Sequence, residues 1–265
     1  MNKFQNEVRF HLFQLKQNFN NKRMLKASFA IQVISMCISN SAFFIIWVMF
    51  SKTIGTHNGW GPLQTFGMLS VTIFVFGVGH SIFGSIMTWH EKIPTGALDS
   101  YLTKPKSLYI RLINNDFNVG ALGDLIQGLA GCILFIFLSD ASLSSVIMLV
   151  LLLVPAIMVE VSFLTICSCV VFWIPQAGNL PMALTNLIMA PATQPVSLLK
   201  GPLRFIYLFI IPALVIAGLP VESFTHTSWK IFFLSYGIAI FWFVLSRQIL
   251  KISLTRYESG NSIGA

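Results

Sequence analysis

One stretch of the sequence decides the fold class: residues 144–173 read SSVIMLVLLLVPAIMVEVSFLTICSCVVFW. The only charged side chain in this run is Glu160. The run exceeds the roughly 20 apolar residues with which a helix crosses the hydrocarbon core of a bilayer. Pro155 removes one backbone donor, so we expect a kink there. The run therefore predicts a membrane-spanning helix.

The rest of the chain repeats this pattern on both sides of that run. Apolar blocks predict six spanning helices at about 27–50, 66–89, 119–138, 144–173, 180–199 and 229–250. Only 10% of the 265 residues are charged, against roughly a quarter in a soluble domain, and the mean hydropathy is +0.76. We therefore predict an all-α polytopic membrane protein, with a transmembrane domain at 27–250.

Proline is concentrated ahead of the last block. The prolines of this region are Pro175, Pro181, Pro191, Pro195, Pro202, Pro212 and Pro220. They lie too close together for an uninterrupted second helix after the fifth span. Residues 202–220 are therefore predicted to form a re-entrant element, either a bent helix or two half-helices that enter the membrane and return.

The N-terminal segment 1–26 is predicted to be an amphipathic helix. Its apolar residues recur at helical spacing, with Lys3, Arg9 and Lys16 off the stripe. The stripe consists of Phe4, Val8, Leu12, Leu15 and Phe19. We expect this helix to lie on the cytoplasmic membrane surface. Packing of the same helix against a partner protein stays open.

The Lys and Arg residues are distributed unevenly between the two ends of the predicted spans, and this asymmetry indicates the topology. Thirteen of the 17 Lys and Arg residues flank one side of the predicted spans: before the first, in the loop 90–112, and after the last. Basic residues mark the cytoplasmic side. Both termini, including the tail 251–265, are therefore predicted on the cytoplasmic side of a bacterial inner membrane. The net charge of +8 indicates topology and lipid contact, not nucleic-acid binding.

Catalytic and metal-binding motifs are absent from the sequence. It contains no G-x-x-x-x-G-K-[ST] loop for nucleotide phosphates, and the five histidines show no metal-ligand spacing. Four cysteines lie inside apolar segments, as small buried hydrophobes do. We predict no catalytic residue, no metal and no cofactor in this chain.

Two acidic residues are predicted at membrane depth, Asp124 in the third span and Glu160 in the fourth. A charge there is costly, by at least about 2.5 kcal/mol, so each is a functional candidate. The alternative is a protonated or hydrogen-bonded packing residue, with Gln127 as a neighbouring partner for Asp124. His80 in the second span is interpreted as a hydrogen-bonded packing residue.

The loop 90–112 contains a candidate partner-binding helix. Thr95 is predicted to cap a helix that runs to Lys104 and ends at Pro105. Leu98 and Leu102 lie four residues apart and therefore on one face. We expect this face to project from the membrane and to fill a pocket of a cytoplasmic partner, with Asp99 beside it pairing locally.

The same loop resembles a family signature. Gly96-Ala97-Leu98-Asp99, followed by Leu102, Lys104 and Pro105, is similar to the G-x-L-D-x-x-L-x-[KR]-P motif of type-2 ABC exporter permeases, a subgroup of which has about 260 residues. The basic start, six spans, proline-rich region and tail Arg256-Tyr257-Glu258-Ser259-Gly260 resemble that subgroup along the whole chain.

The resemblance implies a function and partners. The chain would be the membrane subunit of an exporter, paired with a second copy or a sister permease, and driven by separate ATPase subunits that bind ATP and Mg. The loop helix would couple this membrane subunit to the ATPase. The residues that match the coupling motif are Gly96, Leu98, Asp99, Leu102, Lys104 and Pro105. Two other classes stay open: a secondary transporter using Asp124 and Glu160, and a membrane enzyme of lipid metabolism.

Overall fold

The computed structural model describes residues 3–55, 60–96, 98–99, 112, 116–194, 199 and 201–257. Within these residues the regular structure is helical and contains no β-strand, which confirms the all-α prediction. The helices are α1 Lys3–Met24, α2 Lys26–Ile54, α3 Pro62–Phe83, α4 Gly120–Leu138, α5 Leu143–Ser168, α6 Leu180–Ala192, α7 Pro202–Ile210, α8 Leu214–Thr225 and α9 Trp229–Leu254.

Five of these helices are long and apolar enough to cross a membrane: α2, α3, α4, α5 and α9. They correspond to five of the six predicted spans, with ends that differ by a few residues. α3 begins at Pro62 because the Gln64 side chain accepts a hydrogen bond from the Gly61 N–H, 3.0 Å away. A 3₁₀ turn and a final helical turn extend α3 to Lys92, and another 3₁₀ turn extends α5 to Phe172.

The predicted fifth span at 180–199 differs from the structure. α6 has 13 residues, about 20 Å at 1.5 Å per residue, which is less than the hydrocarbon thickness. The carbonyl of Ala192 accepts a hydrogen bond of 2.9 Å from the hydroxyl of Thr72 in α3. This bond satisfies an end carbonyl, and Pro195 disfavours helix at the residue before it. The helix therefore ends at Ala192.

The proline-rich region forms a sharply bent helix pair. α7 and α8 meet at 86° across a short break that contains Pro212. The guanidinium of Arg204 in α7 lies 3.4 Å from the carboxylate of Glu222 in α8. The bend lies within the element predicted at 202–220, and α8 continues to Thr225. The return of this element to the same side of the membrane stays a prediction.

The order of contacts between α5 and α9 fixes how often the chain traverses the bundle. Tyr236 donates a hydrogen bond to the carbonyl of Leu151, and the rings of Trp242 and Phe163 are 5.6 Å apart. The two helices are therefore parallel. Because both run the same way, residues 173–228 traverse the bundle once, through α6 and the bent pair together. The end of the bundle where α5 and α9 finish is here called the loop end.

The long helices differ in how completely they are buried. α3 and α4 make the most extensive contact among the described elements, because glycines let their backbones approach. A Cβ added at Gly128 would meet the backbone of Phe74, and one at Gly77 would meet that of Leu125. By contrast, only 6% of the most apolar 18 residues of α2 are buried. The core of the protein is therefore built around α3, and α2 lies at its edge.

The N-terminal helix packs on the loop end. α1 extends to Met24, and its Phe19 ring lies 5.6 Å from that of Phe117, ahead of α4. The predicted apolar stripe does not form one packing face, because Leu12 is 59% exposed. The side chains of Phe4 and Val8 lie outside the described residues. The membrane-surface position of α1 stays a prediction.

Candidate functional site

The loop motif begins with a left-handed turn, not with a helix cap. Gly96 has φ +74°, a conformation that costs little only without a side chain. The Thr95 hydroxyl donates to the carbonyl of Lys92, 2.9 Å away, and therefore closes the preceding helical turn. The prediction that Thr95 caps a helix is therefore wrong, and the predicted course of that helix to Lys104 lies largely outside the described residues.

Leu98 is buried inside the protein. Its side chain is 1% exposed and belongs to an apolar cluster at the loop end. Other members of the cluster are Ile86, Trp89, Ile93, Val171, Phe172 and Leu250. The expectation that Leu98 projects into a partner's pocket is therefore wrong: α3, α5 and α9 already enclose it. Leu102, Lys104 and Pro105 lie outside the described residues.

Asp99 joins the loop motif to the C-terminal tail. The hydroxyl of Tyr257 donates a hydrogen bond of 3.0 Å to Oδ1 of Asp99. The Tyr257 ring also meets Phe172 edge-on, with centroids 6.4 Å apart. Burial and the neighbouring Asp99 carboxylate raise the pKa of Tyr257 to about 12. The loop motif and the tail motif, 158 residues apart at these two positions, therefore contact each other in the folded chain.

The returning end of the loop is fixed at Leu112. Its carbonyl accepts hydrogen bonds from the hydroxyl of Ser85, at 2.7 Å, and from Nε1 of Trp89, at 3.3 Å. All three residues are buried. We call Ser85, Trp89, Leu98, Asp99, Leu112 and Tyr257 the loop anchor. The loop anchor ties both ends of the loop to α3 and to the tail that follows α9.

An ion-pair cluster beside the loop anchor joins α1 to the same assembly. Asp116 lies 3.2 Å from Nζ of Lys22 and 3.5 Å from Nζ of Lys92. Partial burial raises the pKa of Asp116, but the N–H of Phe117 and the two lysines outweigh it, so the pKa lies below its ordinary value. Because the groups are partly exposed, we expect each pair to contribute at most about 1 kcal/mol.

A shallow groove opens next to the loop anchor, with a volume of about 350 Å³. Its walls come from the Ile93–Pro94 turn, the end of α5 and the tail residues Arg256 and Tyr257. Trp173, on the wall, is 47% exposed. We call this surface the tail groove. It combines exposed aromatic area with a positive charge.

Glu160 lies in the core between α5 and α3. It is 1% exposed, and its Oε1 is 3.1 Å from Nε2 of His80. Neither atom has a well-aligned hydrogen bond in the described structure, so the contact is an ion-pair distance without hydrogen-bond geometry. A Cβ on Gly79 would collide with the Glu160 carboxylate. Glycine at that position therefore lets the acid approach α3.

Asp124 is 5% exposed, and its Oδ1 accepts a hydrogen bond of 2.6 Å from the amide of Asn40 in α2. The suggested partner, Gln127, instead donates to Ser41. Asp124 also lines a cavity of about 330 Å³ bounded by α2, α3, α4 and α6. We call this space the α2 cavity. Its walls are mostly apolar and include Phe43 and Phe76.

Among the residues described, no group of three or more His, Cys, Asp or Glu side chains is placed to hold a metal ion. Cys132, Cys167 and Cys169 are buried and unpaired, and Cys37 is half-buried. These thiols pack as small apolar groups.

Comparison with known proteins gives one family. A family of sequences described as ABC-2 family transporter proteins matches residues 36–261. The chain belongs to the ABC-2 transporter family. Members are membrane subunits of ABC transporters. The ABC-2 match covers the loop anchor, both buried carboxylates and the α2 cavity, and begins after α1. No curated protein and no solved structure matches the chain.

Sequence reasoning did not identify three contact partners of the predicted site residues in this ABC-2 chain, although it named His80 and Tyr257. They are Asn40, which bonds Asp124; His80, which faces Glu160; and Tyr257, which bonds Asp99. Asn40 and His80 are polar residues inside apolar spans, which is a signal that each needs a partner at membrane depth. The signal did not identify the partner, because each contact joins two different helices.

Proposed function

We propose that this chain is the permease subunit of an ATP-driven exporter. It pairs with a second permease, a copy or a sister chain, and substrate passes between the two. Separate ATPase subunits supply ATP hydrolysis with Mg, and this chain hydrolyses nothing. The ABC-2 family match and the lack of any phosphate-binding loop in the sequence support the proposal.

The loop anchor is the observation that carries the proposal. A permease moved by a separate motor needs an element at one end of the bundle that is fixed to several spans. The loop 90–112 leaves α3 through Trp89, returns through Leu112 and is tied to the tail of α9 through Asp99. A push on this loop would therefore be delivered to α3 and α9 together.

We assign the ATPase contact to the tail groove and the loop beside it. Leu98 is buried and does not supply the contact, whereas Trp173 and Ile174 are 47% and 50% exposed. Arg256 adds positive charge on the same wall. An exposed aromatic with an arginine is a composition enriched where proteins bind each other.

The loop end is proposed to face the cytoplasm of an inner membrane. The basic residues Lys22, Lys92, Lys251 and Arg256 lie in segments at this end, as the positive-inside rule requires of the cytoplasmic side. Exposed apolar side chains on α2 and α9 provide area for lipid and for the second permease.

Purification of the tagged full chain in mild detergent tests the proposal. Mass spectrometry of the co-purified proteins should identify a subunit with a G-x-x-x-x-G-K-[ST] loop in near-stoichiometric amount, and the complex should hydrolyse ATP. A chain that is recovered alone and that transports in vesicles under a proton gradient without ATP would be a secondary transporter. That result would reject the proposal.

A further inference from the structure

The α2 cavity contains one acidic group. Among the described residues that line it, Asp124 is the one titratable side chain, and none is Lys, Arg or His. His80 lies outside that lining, behind Phe76, and still acts on Asp124 electrostatically. The group that bonds the carboxylate, Asn40, is a neutral amide. A carboxylate in an apolar region is costly unless a positive group offsets it. The cavity therefore favours a cationic occupant.

The size and walls of the cavity define the rest of the ligand. A volume of about 330 Å³ is within the range of pockets for small organic molecules, roughly 300–1,000 Å³. The rings of Phe43 and Phe76 present π-surfaces that attract cations. Thr72 and Thr193 add a small number of polar groups. This composition fits an apolar body with one positive charge.

The cavity lies where a ligand can enter it. Phe43 and Ile46 of α2 line it and are 37% and 64% exposed. The opposite wall is closed, because Phe76 is 3% exposed and its ring meets that of His80 at 5.4 Å. The α2 cavity is thus a pocket on the edge of the bundle that ends short of the His80–Glu160 pair.

We propose that the α2 cavity binds an organic cation with an apolar body, with Asp124 as its counter-ion and Asn40 holding the carboxylate in place. The inference rests on the proposed function in naming the class of compound that the permease takes up. Its own chemistry, a cation on a membrane carboxylate, requires no ATPase.

Equilibrium binding of radiolabelled tetraphenylphosphonium tests the proposal, with the purified full chain in phosphatidylglycerol nanodiscs. Tetraphenylborate has nearly the same shape and the opposite charge, so it controls for apolar partition. We expect saturable binding of the cation alone, and at least a tenfold loss of affinity in Asp124→Asn. Asp140→Asn is the matched control, since Asp140 is an exposed turn residue whose φ of 44° suits asparagine.

A second variant keeps the test valid if Asp124→Asn fails to fold. Ile46→Trp leaves the carboxylate intact and fills the rim of the cavity, so it should also weaken cation binding. Equal affinity in wild type and both variants, or equal binding of the anion, would overturn the proposal. Repeating the measurement with phosphatidylethanolamine separates two sources of the cation: displacement identifies a lipid amine, and undiminished binding identifies a free compound.

The experiments distinguish a failure of this inference from a failure of the proposed function. If the wild-type chain does not bind the cation but still co-purifies with an ATPase, this inference alone is overturned. Cation binding without any ATPase partner would overturn the exporter proposal alone.

Discussion

The loop anchor and the α2 cavity both contain buried polar groups, but they satisfy them differently. In the loop anchor, each polar group named has a partner in another segment: Ser85 and Trp89 bond Leu112, and Tyr257 bonds Asp99. In the α2 cavity, one carboxylate has a neutral partner and faces space. A closed network resists deformation, whereas a carboxylate that faces an open cavity is stabilised by a bound cation.

The helices around the two regions also differ in how much of their apolar surface is buried. The loop anchor lies at the end of α3, where 67% of the most apolar 18 residues are buried. The α2 cavity also touches α3, but its exposed wall is α2, where 6% of the most apolar 18 residues are buried. Both helices are similarly apolar. Hydropathy therefore identifies both as spans and does not distinguish the central helix from the peripheral one. In our account, the packed region transmits force and the open region takes up ligand.

Leu98→Ser should break the loop anchor and is expected to have the largest effect. Truncation of a buried leucine costs about 2–5 kcal/mol, and the new hydroxyl would be buried in an apolar cluster. We expect a lower midpoint of thermal unfolding in detergent and loss of the co-purified ATPase. Leu143→Ser is the control, because Leu143 is 76% exposed. Equal midpoints in both variants would mean that the anchor contributes no rigidity.

The two buried carboxylates provide a sharper comparison. Glu160→Gln removes the charge that faces His80, and a cycle with His80→Gln should give a coupling of about 0.5–3 kcal/mol in unfolding free energy. Asp124→Asn keeps a partner for Asn40, so it should change stability less and cation binding more. Zero coupling between Glu160 and His80 would show that the pair is not part of the packed core.

Several features of this fold were predictable because they are local. Long apolar runs predicted α4 to within one residue and α5 to within five residues, and clustered prolines predicted the bend between α7 and α8. The end of α6 was only partly predictable: Pro195 disfavours helix before it, but the hydrogen bond from Thr72 comes from another helix. Leu98 was misassigned for the same reason: four-residue spacing defines a face, but only the surrounding helices determine whether that face is exposed or buried.

The hydrogen bond between Tyr257 and Asp99 gives the smallest expected effect and a pH signature. The pKa of Tyr257 is raised to about 12, above the ordinary value of about 10. The stabilising contact is therefore fully present below about pH 10 and is lost as the pH rises through about 12. In ultraviolet titration, Tyr257→Phe should remove the late tyrosinate transition, and Asp99→Asn should move it to lower pH. An unchanged titration curve in both variants would exclude the contact.

Photo-crosslinking from the tail groove tests the central claim most directly. A benzoylphenylalanine placed at Trp173 in the full chain should crosslink in cells to the P-loop ATPase. The same residue at Trp229, which is 61% exposed and begins α9 at the opposite end of the bundle, should not. Crosslinks to the ATPase from Trp229, or from neither position while the complex is intact, would contradict the assignment of the loop end as the surface that the ATPase drives.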